Sequence, residues 1–220
     1  TLLQETKLQL SQANHHSSPP HVQIPRHYNA AYDLLQRNAS RPKKVAYIDA
    51  ISGLQMTYGE LNEQCWRFAN ALRSRGFEPE TRVMLCMLDT PQWVVAFLGC
   101  MLAGVVPIAT NTLLTTKDFD YMLRDSRAKG LIVSQALLPA FESLIGHIDT
   151  LQTVIVAGST DHGAHLSLDA LIQQGSPEQV CADTCSDDVC FWLYSSGSTG
   201  SPKGTVHLHS HIIQTAELYG

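Results

Sequence analysis

From Arg82 onward, short and almost wholly apolar runs alternate with longer stretches of helical periodicity. This rhythm leaves few folds open. Residues 83–88, 105–109, 131–134, 153–157 and 189–193 read as strands, and residues 91–103, 116–127 and 135–145 as helices between them. A strand with apolar side chains on both faces must be covered on both faces. Parallel strands joined by helical crossovers achieve that cover. The expectation is an α/β fold with a mostly parallel sheet flanked by helices. Pro91 suits the first turn of its helix, where no backbone N–H is needed. Ser167 is expected to cap a short helix to Gln173, residues 175–188 form a polar connection, and residues 206–219 read as a final helix.

Upstream, residues 30–38 read as a helix with Ala31, Leu34, Leu35 and Asn38 at helical spacing. Two short strands, 45–49 and 54–57, flank the turn Ile51-Ser52-Gly53. Thr57 and Glu60 then form a capping box ahead of the stripe Leu61, Cys65, Phe68, Ala69 and Leu72, which Gly76 ends. That role accounts for Glu60 without chemistry. Residues 1–25, with the run His15-His16-Ser17-Ser18-Pro19-Pro20-His21, show no apolar period and are expected to be a loose arm, disordered or lying across the domain.

The formal charge of −5 over 220 residues includes no block of like sign, which argues against a nucleic-acid partner. The apolar run 93–109 falls short of the roughly 20 residues of a membrane-spanning helix and contains Gly104 and Pro107. Cys65, Cys86 and Cys100 lie in apolar runs, as small hydrophobes do. Cys181, Cys185 and Cys190 include no Cys-x-x-Cys pair, and with His207, His209 and His211 they fit no familiar zinc pattern. No metal site is read in these residues. Residues 1–20 lack a basic start followed by an apolar core, so a reducing cytoplasm is the expected setting.

The chemistry concentrates in one stretch, Tyr194-Ser195-Ser196-Gly197-Ser198-Thr199-Gly200-Ser201-Pro202-Lys203-Gly204, directly after the apolar run ending at Leu193. Glycines let a backbone come close to a ligand, successive N–H groups form a concave anion nest, hydroxyls add rotatable donors, and Lys203 adds a mobile positive charge. Together they make a phosphate cradle. It is not a Walker A loop: Pro202 precedes the lysine, Gly204 follows it, and both oppose a helix starting there. A plain Gly/Ser linker would need no lysine and would not follow a buried strand.

The ten residues Ser195 to Gly204 match, without departure, the pattern Ser/Thr-Ser-Gly-Ser/Thr-Thr-Gly-x-Pro-Lys-Gly. The stretch resembles the phosphate-binding signature of the adenylate-forming enzymes: acyl-CoA and aryl-CoA synthetases, luciferases and peptide-synthetase adenylation domains. Thr57-Tyr58-Gly59-Glu60-Leu61 and Ala103-Gly104-Val105-Val106-Pro107 are similar to further elements of that family. Asn111-Thr112-Leu113-Leu114 and Thr205-Val206-His207-Leu208-His209 look most like its benzoate-type aryl-CoA ligases. The resemblance covers roughly residues 28–220, though only the cradle is specific enough to stand alone.

The resemblance implies two steps. A carboxylate attacks the α-phosphate of ATP, with Mg2+, and coenzyme A then displaces AMP to give a thioester. It implies that Ser195, Ser196, Gly197, Ser198, Thr199, Gly200, Lys203 and Gly204 hold the ATP phosphates, with Lys203 balancing charge on the departing pyrophosphate. His209, where many members carry a Thr-His pair, orients the cradle, lines the site or is a surface helix residue. His207 and His211 are expected to be structural or solvated. The partner implied is a small aromatic carboxylic acid; a fatty acyl-CoA ligase or a peptide-synthetase adenylation domain is the alternative within the same chemistry. The family's substrate pocket, magnesium-binding Glu and mobile C-terminal domain lie downstream of this point. Residues 26–220 are therefore expected to be the partial N-terminal domain of a longer ligase, inactive alone. A non-catalytic phosphate- or partner-binding fragment, prone to self-association through exposed strand edges, is the alternative of another class.

Overall fold

The computed structural model describes residues 7–158, 163–195 and 201–219. A small antiparallel hairpin comes first, β1 (Gln12–Asn14) with β2 (His21–Gln23). Of the two possibilities expected for the arm, residues 7–25 take the second: they lie across the domain, as a hairpin and not a loose segment. Their anchor is polar, which is why apolar periodicity misses it. Ser11 donates through both its N–H and its hydroxyl to Asp33. Arg37 donates to the Ser11 carbonyl at 3.0 Å and to its hydroxyl at 2.7 Å. Asp33 and Arg37 belong to α1 (Ala30–Arg37), which starts where the Asn29 side chain accepts from the N–H groups of Ala31 and Tyr32.

The hairpin of β3 (Val45–Ile48) and β4 (Gln55–Thr57) stands apart from the main sheet. It leads into α2 (Tyr58–Ser74) through the expected capping box, with the Thr57 N–H donating to Glu60 at 2.8 Å and the Glu60 N–H to the Thr57 hydroxyl at 3.3 Å. Then follow β5 (Arg82–Cys86), α3 (Pro91–Ala103), β6 (Val106–Ala109), α4 (Thr116–Ser126), β7 (Gly130–Ser134), β8 (Thr153–Ala157), β9 (Leu166–Ser167) and α5 (Leu168–Gln174). The helix expected over 135–145 is a 3-10 run, Gln135–Ala140, followed by turns. Pro139 inside it has no N–H to continue an α-helical ladder.

The chain ends with β10 (Val189–Ser195), β11 (Lys203–Leu208) and α6 (His209–Tyr219). The single helix expected over 206–219 is therefore corrected. Its first residues extend β11, because the backbone of 203–208 finds its hydrogen-bond partners on β10, an opportunity that exists only once the chain has folded back. The described ends of the cradle, Ser195 and Lys203, thus belong to two paired strands and not to a strand and a helix.

Seven strands form the main sheet, in the order β11-β10-β6-β5-β7-β8-β9. Every neighbouring pair is parallel except β10 with β11. Side chains alternate between two cores. Val83, Leu85, Ile132 and Ile155 pack with Phe68, Leu72, Val95 and Leu102 from α2 and α3. Met84, Cys86, Leu131, Val133, Val154 and Val156 pack with Phe119, Leu123 and Phe141 on the opposite face. This double burial is what the apolar strand runs require. At the end of α5, the backbone at Gly175 lies against α2 so closely that a Cβ there would sit 1.9 Å from the Arg67 carbonyl oxygen.

Candidate active site

β10 carries the loop out of the core and β11 brings it back. Ser195 and Lys203 are cross-strand partners at its mouth, Tyr194 pairs with Gly204 one rung below, and Leu193 with Thr205 below that. Directly opposed residues put their side chains on the same face, about 5 Å apart. The fold therefore brings together Ser195, Lys203 and Gly204. Lys203 is exposed. Ser196, Gly197, Ser198, Thr199 and Gly200 lie outside the described residues.

Gly204 lies close against two rings. A Cβ there would come within 3.2 Å of the Trp192 ring and 3.4 Å of the Tyr194 ring. These two side chains lie on the α4 side of the sheet. The Arg82 guanidinium sits 5.7 Å from the Trp192 ring centre, and its Nε donates to the Ser126 carbonyl. The Tyr194 hydroxyl donates to Asp125 at 2.6 Å. Burial first, then the hydrogen bond and charge of Asp125, pushes the Tyr194 phenol above its ordinary range.

On the other face of the hairpin, His207 stacks flat on Phe191 at 4.5 Å with an interplanar angle of 1°, and His211 meets His207 edge-on at 5.6 Å. Phe97 and Trp93 continue this row of rings onto α3. The His211 Nδ1 accepts the Leu208 N–H at 3.2 Å. Burial and the neighbouring His211 lower the His207 pKa. Both histidines are packing elements, as the sequence reading expected.

His209 differs from the sequence reading in position and in task. It follows the far end of β11 from Lys203, and six residue steps at about 3.3 Å each put it about 20 Å along the strand from the loop mouth. It is 2% exposed. Its Nδ1 accepts the Ala30 N–H at 3.1 Å, one of the orphan donors in the first turn of α1. That bond needs a neutral imidazole, and burial holds the His209 pKa down at about 4, against a small opposing effect of Asp188. Its ordinary value is 6.5. Between these values the unfolded chain takes up a proton that the folded one refuses. The contribution of His209 is therefore full above pH 6.5 and is lost as pH falls toward 4. A drop in unfolding free energy of roughly 3 kcal/mol over that window is expected from this residue. Urea titrations at pH 7 and pH 4.5 check it. His209→Gln should weaken the part of the slope lying between pH 4 and 6.5, and an unchanged slope in that variant would show that other groups set it.

Among the described residues, one group has the spacing to share a metal ion: Cys185, Asp187 and Asp188. It stands before β10, at the opposite end of that strand from the loop. Asp187 pairs with Arg26 at 2.6 Å, and Asp188 accepts the Cys185 N–H at 2.7 Å. Both carboxylates are already engaged, so magnesium chemistry is not assigned to this group. Burial pushes the Cys181 thiol up to about 12 and the Cys190 thiol higher still.

The family model described as "AMP-binding enzyme" matches residues 34–219. A benzoate–CoA ligase of Thauera aromatica is 50% identical over 213 residues, which are 96% of this chain and 40% of that protein. The crystal structure of the anthranilate–CoA ligase AuaEII in complex with anthranoyl-AMP superposes with a TM-score of 0.84 at 34% identity, over 89% of this chain and 38% of the other. A benzoate–CoA ligase structure from Burkholderia xenovorans LB400 gives a TM-score of 0.77 at 43% identity, over 87% of this chain and 37% of the other. The chain thus spans 40% of the length of the Thauera relative.

Proposed function

The chain belongs to the AMP-binding enzyme family, and from that premise we propose that its parent protein is an ATP-dependent aryl-acid:CoA ligase of the benzoate type. This chain would supply the phosphate-binding part of its N-terminal domain. One observation carries the reading: a loop with the complete adenylate-forming signature closes a hairpin whose mouth sets Ser195 opposite Lys203. The 50% identity to a benzoate–CoA ligase over 96% of the chain supports the aryl acid as substrate.

The chain's own residues contribute binding and charge. Ser195 and the loop residues Ser196, Gly197, Ser198, Thr199 and Gly200 offer hydroxyl and backbone N–H donors to the β- and γ-phosphates of ATP. Attack by the acid's carboxylate on the α-phosphorus breaks the bond to the β-phosphate oxygen, and the electron pair leaves with pyrophosphate. Lys203 balances the charge gathering there. Magnesium, when bound with ATP, would neutralise phosphate charge; no described cluster of this chain is fitted to hold it, and no step here depends on it. Coenzyme A then displaces AMP as the second co-substrate. The cytoplasm is the proposed setting, in keeping with six free cysteines. No helix among the described residues is long and apolar enough to cross a membrane.

The test is ATP–pyrophosphate exchange by the complete gene product, with benzoate, hydroxy- and aminobenzoates, and medium- and long-chain fatty acids compared. Exchange driven by an aromatic acid in preference to every fatty acid is expected. Exchange driven only by fatty acids would move the assignment to the fatty acyl branch. A protein that binds phosphate but exchanges with no acid would be the non-catalytic alternative. The observation in that alternative's favour is the outer edge of β11, which has no strand partner among the described residues and where Val206 is 42% exposed.

A further inference from the structure

We infer that the Asp125–Tyr194 hydrogen bond positions the phosphate loop, tying the hairpin rung below Ser195 and Lys203 to α4. The inference rests on the ATP-binding reading of that loop. Its ground is the way the sheet runs out beneath the loop. The ladder between β10 and β6 ends at Leu193 opposite Ala109. Past that point the backbone of β10 has a strand on one side only, and that strand is β11, the sheet edge. The next rung, Tyr194 with Gly204, and the mouth, Ser195 with Lys203, therefore project beyond the sheet that anchors them.

A projecting two-strand ribbon is marginal by itself. What ties it to the body of the domain is the phenol. The Tyr194 hydroxyl donates to Asp125 at 2.6 Å, with a weaker contact to the Met122 carbonyl at 3.4 Å. Both acceptors are in α4. Ser126, the next residue, accepts from the Arg82 side chain that covers Trp192. The end of α4 thus holds two consecutive inward-facing side chains of β10, and the second is the last before the loop. Gly204 completes the arrangement, because its lack of a side chain lets β11 lie directly against both rings. Asp125 is thereby a positioning residue. It touches no substrate and acts through Tyr194.

The experiment uses the complete gene product with Tyr194→Phe, Asp125→Ala, the double variant and Asp125→Asn, and Mg-ATP with benzoate as probes. A charge-assisted hydrogen bond at a partly exposed site leads us to expect KM for ATP, and the calorimetric Kd for ATP, to rise about tenfold in each single variant. KM for benzoate should stay within about twofold, since only the phosphate end is displaced. The double variant should be no worse than either single one, because both remove the same bond. Asp125→Asn, whose amide oxygen still accepts from the phenol, should recover most of the affinity. Additive losses, a parallel rise in both KM values, or ATP affinity at the wild-type level in Tyr194→Phe would each overturn the inference. A wild type that binds ATP but exchanges with no aromatic acid defeats the substrate reading alone, and Tyr194→Phe is then judged by its ATP Kd. A wild type that binds no ATP overturns both.

Discussion

Lys203→Ala is expected to lower the rate of aryl-acid-dependent pyrophosphate exchange by the complete gene product about a hundredfold to a thousandfold, the usual loss when a preorganised charge-stabilising group is removed. The expectation follows from where Lys203 stands. It opens an edge strand, opposite Ser195, with its side chain exposed and no ion-pair partner within reach among the described residues. No salt bridge among the described residues consumes its charge. The same isolation predicts that removing it leaves the thermal midpoint within about 1–2 °C of wild type, since surface substitutions of this kind cost little. Lys203→Arg should recover part of the rate. An arginine restores the charge but presents a planar fork in place of a compact ammonium. If Lys203→Ala exchanges pyrophosphate at the wild-type rate, the lysine is not part of the chemistry and the loop binds its anion through backbone and hydroxyl groups alone.

Asp33→Ala is expected to cost about 3 kcal/mol of unfolding free energy, the lower end of what breaking a buried, hydrogen-bonded ion pair costs, because Arg37 keeps some solvent contact. The Asp33 side chain is 2% exposed and that of Arg37 35%. Asp33 accepts from Tyr28 at 2.8 Å, from Arg37 at 3.0 Å, and from Ser11. Tyr28 is itself buried, at 1% exposure, and its phenol is pushed above its ordinary range by burial and then by the Asp33 charge. Truncation strands that hydroxyl and the Arg37 Nε–H at once, and leaves the Ser11 hydroxyl held by Arg37 alone. Arg37 also reaches Glu217 on α6 at 3.4 Å, and His15 of the N-terminal segment meets the other oxygen of Glu217 at 3.0 Å. The loss should therefore appear as earlier proteolysis within residues 7–25 as well as in the urea midpoint. Asp33→Asn keeps an acceptor and should cost about half as much. A midpoint shift below about 0.5 kcal/mol for Asp33→Ala would mean that packing around Tyr28, and not this network, holds the segment.

Local chemistry made a large part of the architecture legible. The capping box at Thr57 and Glu60 operates within four residues, so the start of α2 could be read directly. Pro91 opening α3 and Ser167 capping α5 are of the same kind. The apolar runs at β5, β7 and β8 state their double burial in composition alone. The loop reads as a phosphate cradle in the sequence because glycine, hydroxyl and lysine side chains have few other uses in that density, and its residues 196–200 lie outside the described residues. Helix 135–145 was misread although Pro139, which has no N–H for an α-helical ladder, stands within it, and residues 206–208, read as the start of the last helix, are extended. For residues 206–208 the deciding factor was the hydrogen-bond partners their backbone finds on β10, and periodicity carries no record of that.

What the amino-acid sequence determined by itself is the α/β class, the parallel core and the chemical character of the Ser195–Gly204 loop, since each depends on residues close together along the chain. What the tertiary structure alone decided is how that loop is held. Asp125 lies 69 residues from Tyr194, and His209 lies 179 residues from the Ala30 N–H it accepts. Polar side chains like these carry no period and no local partner. Their contacts came into being when the folded core brought the end of α4 and the start of α1 against the two ends of the hairpin, where the buried His209 meets the Ala30 N–H and the exposed Asp125 meets the Tyr194 hydroxyl.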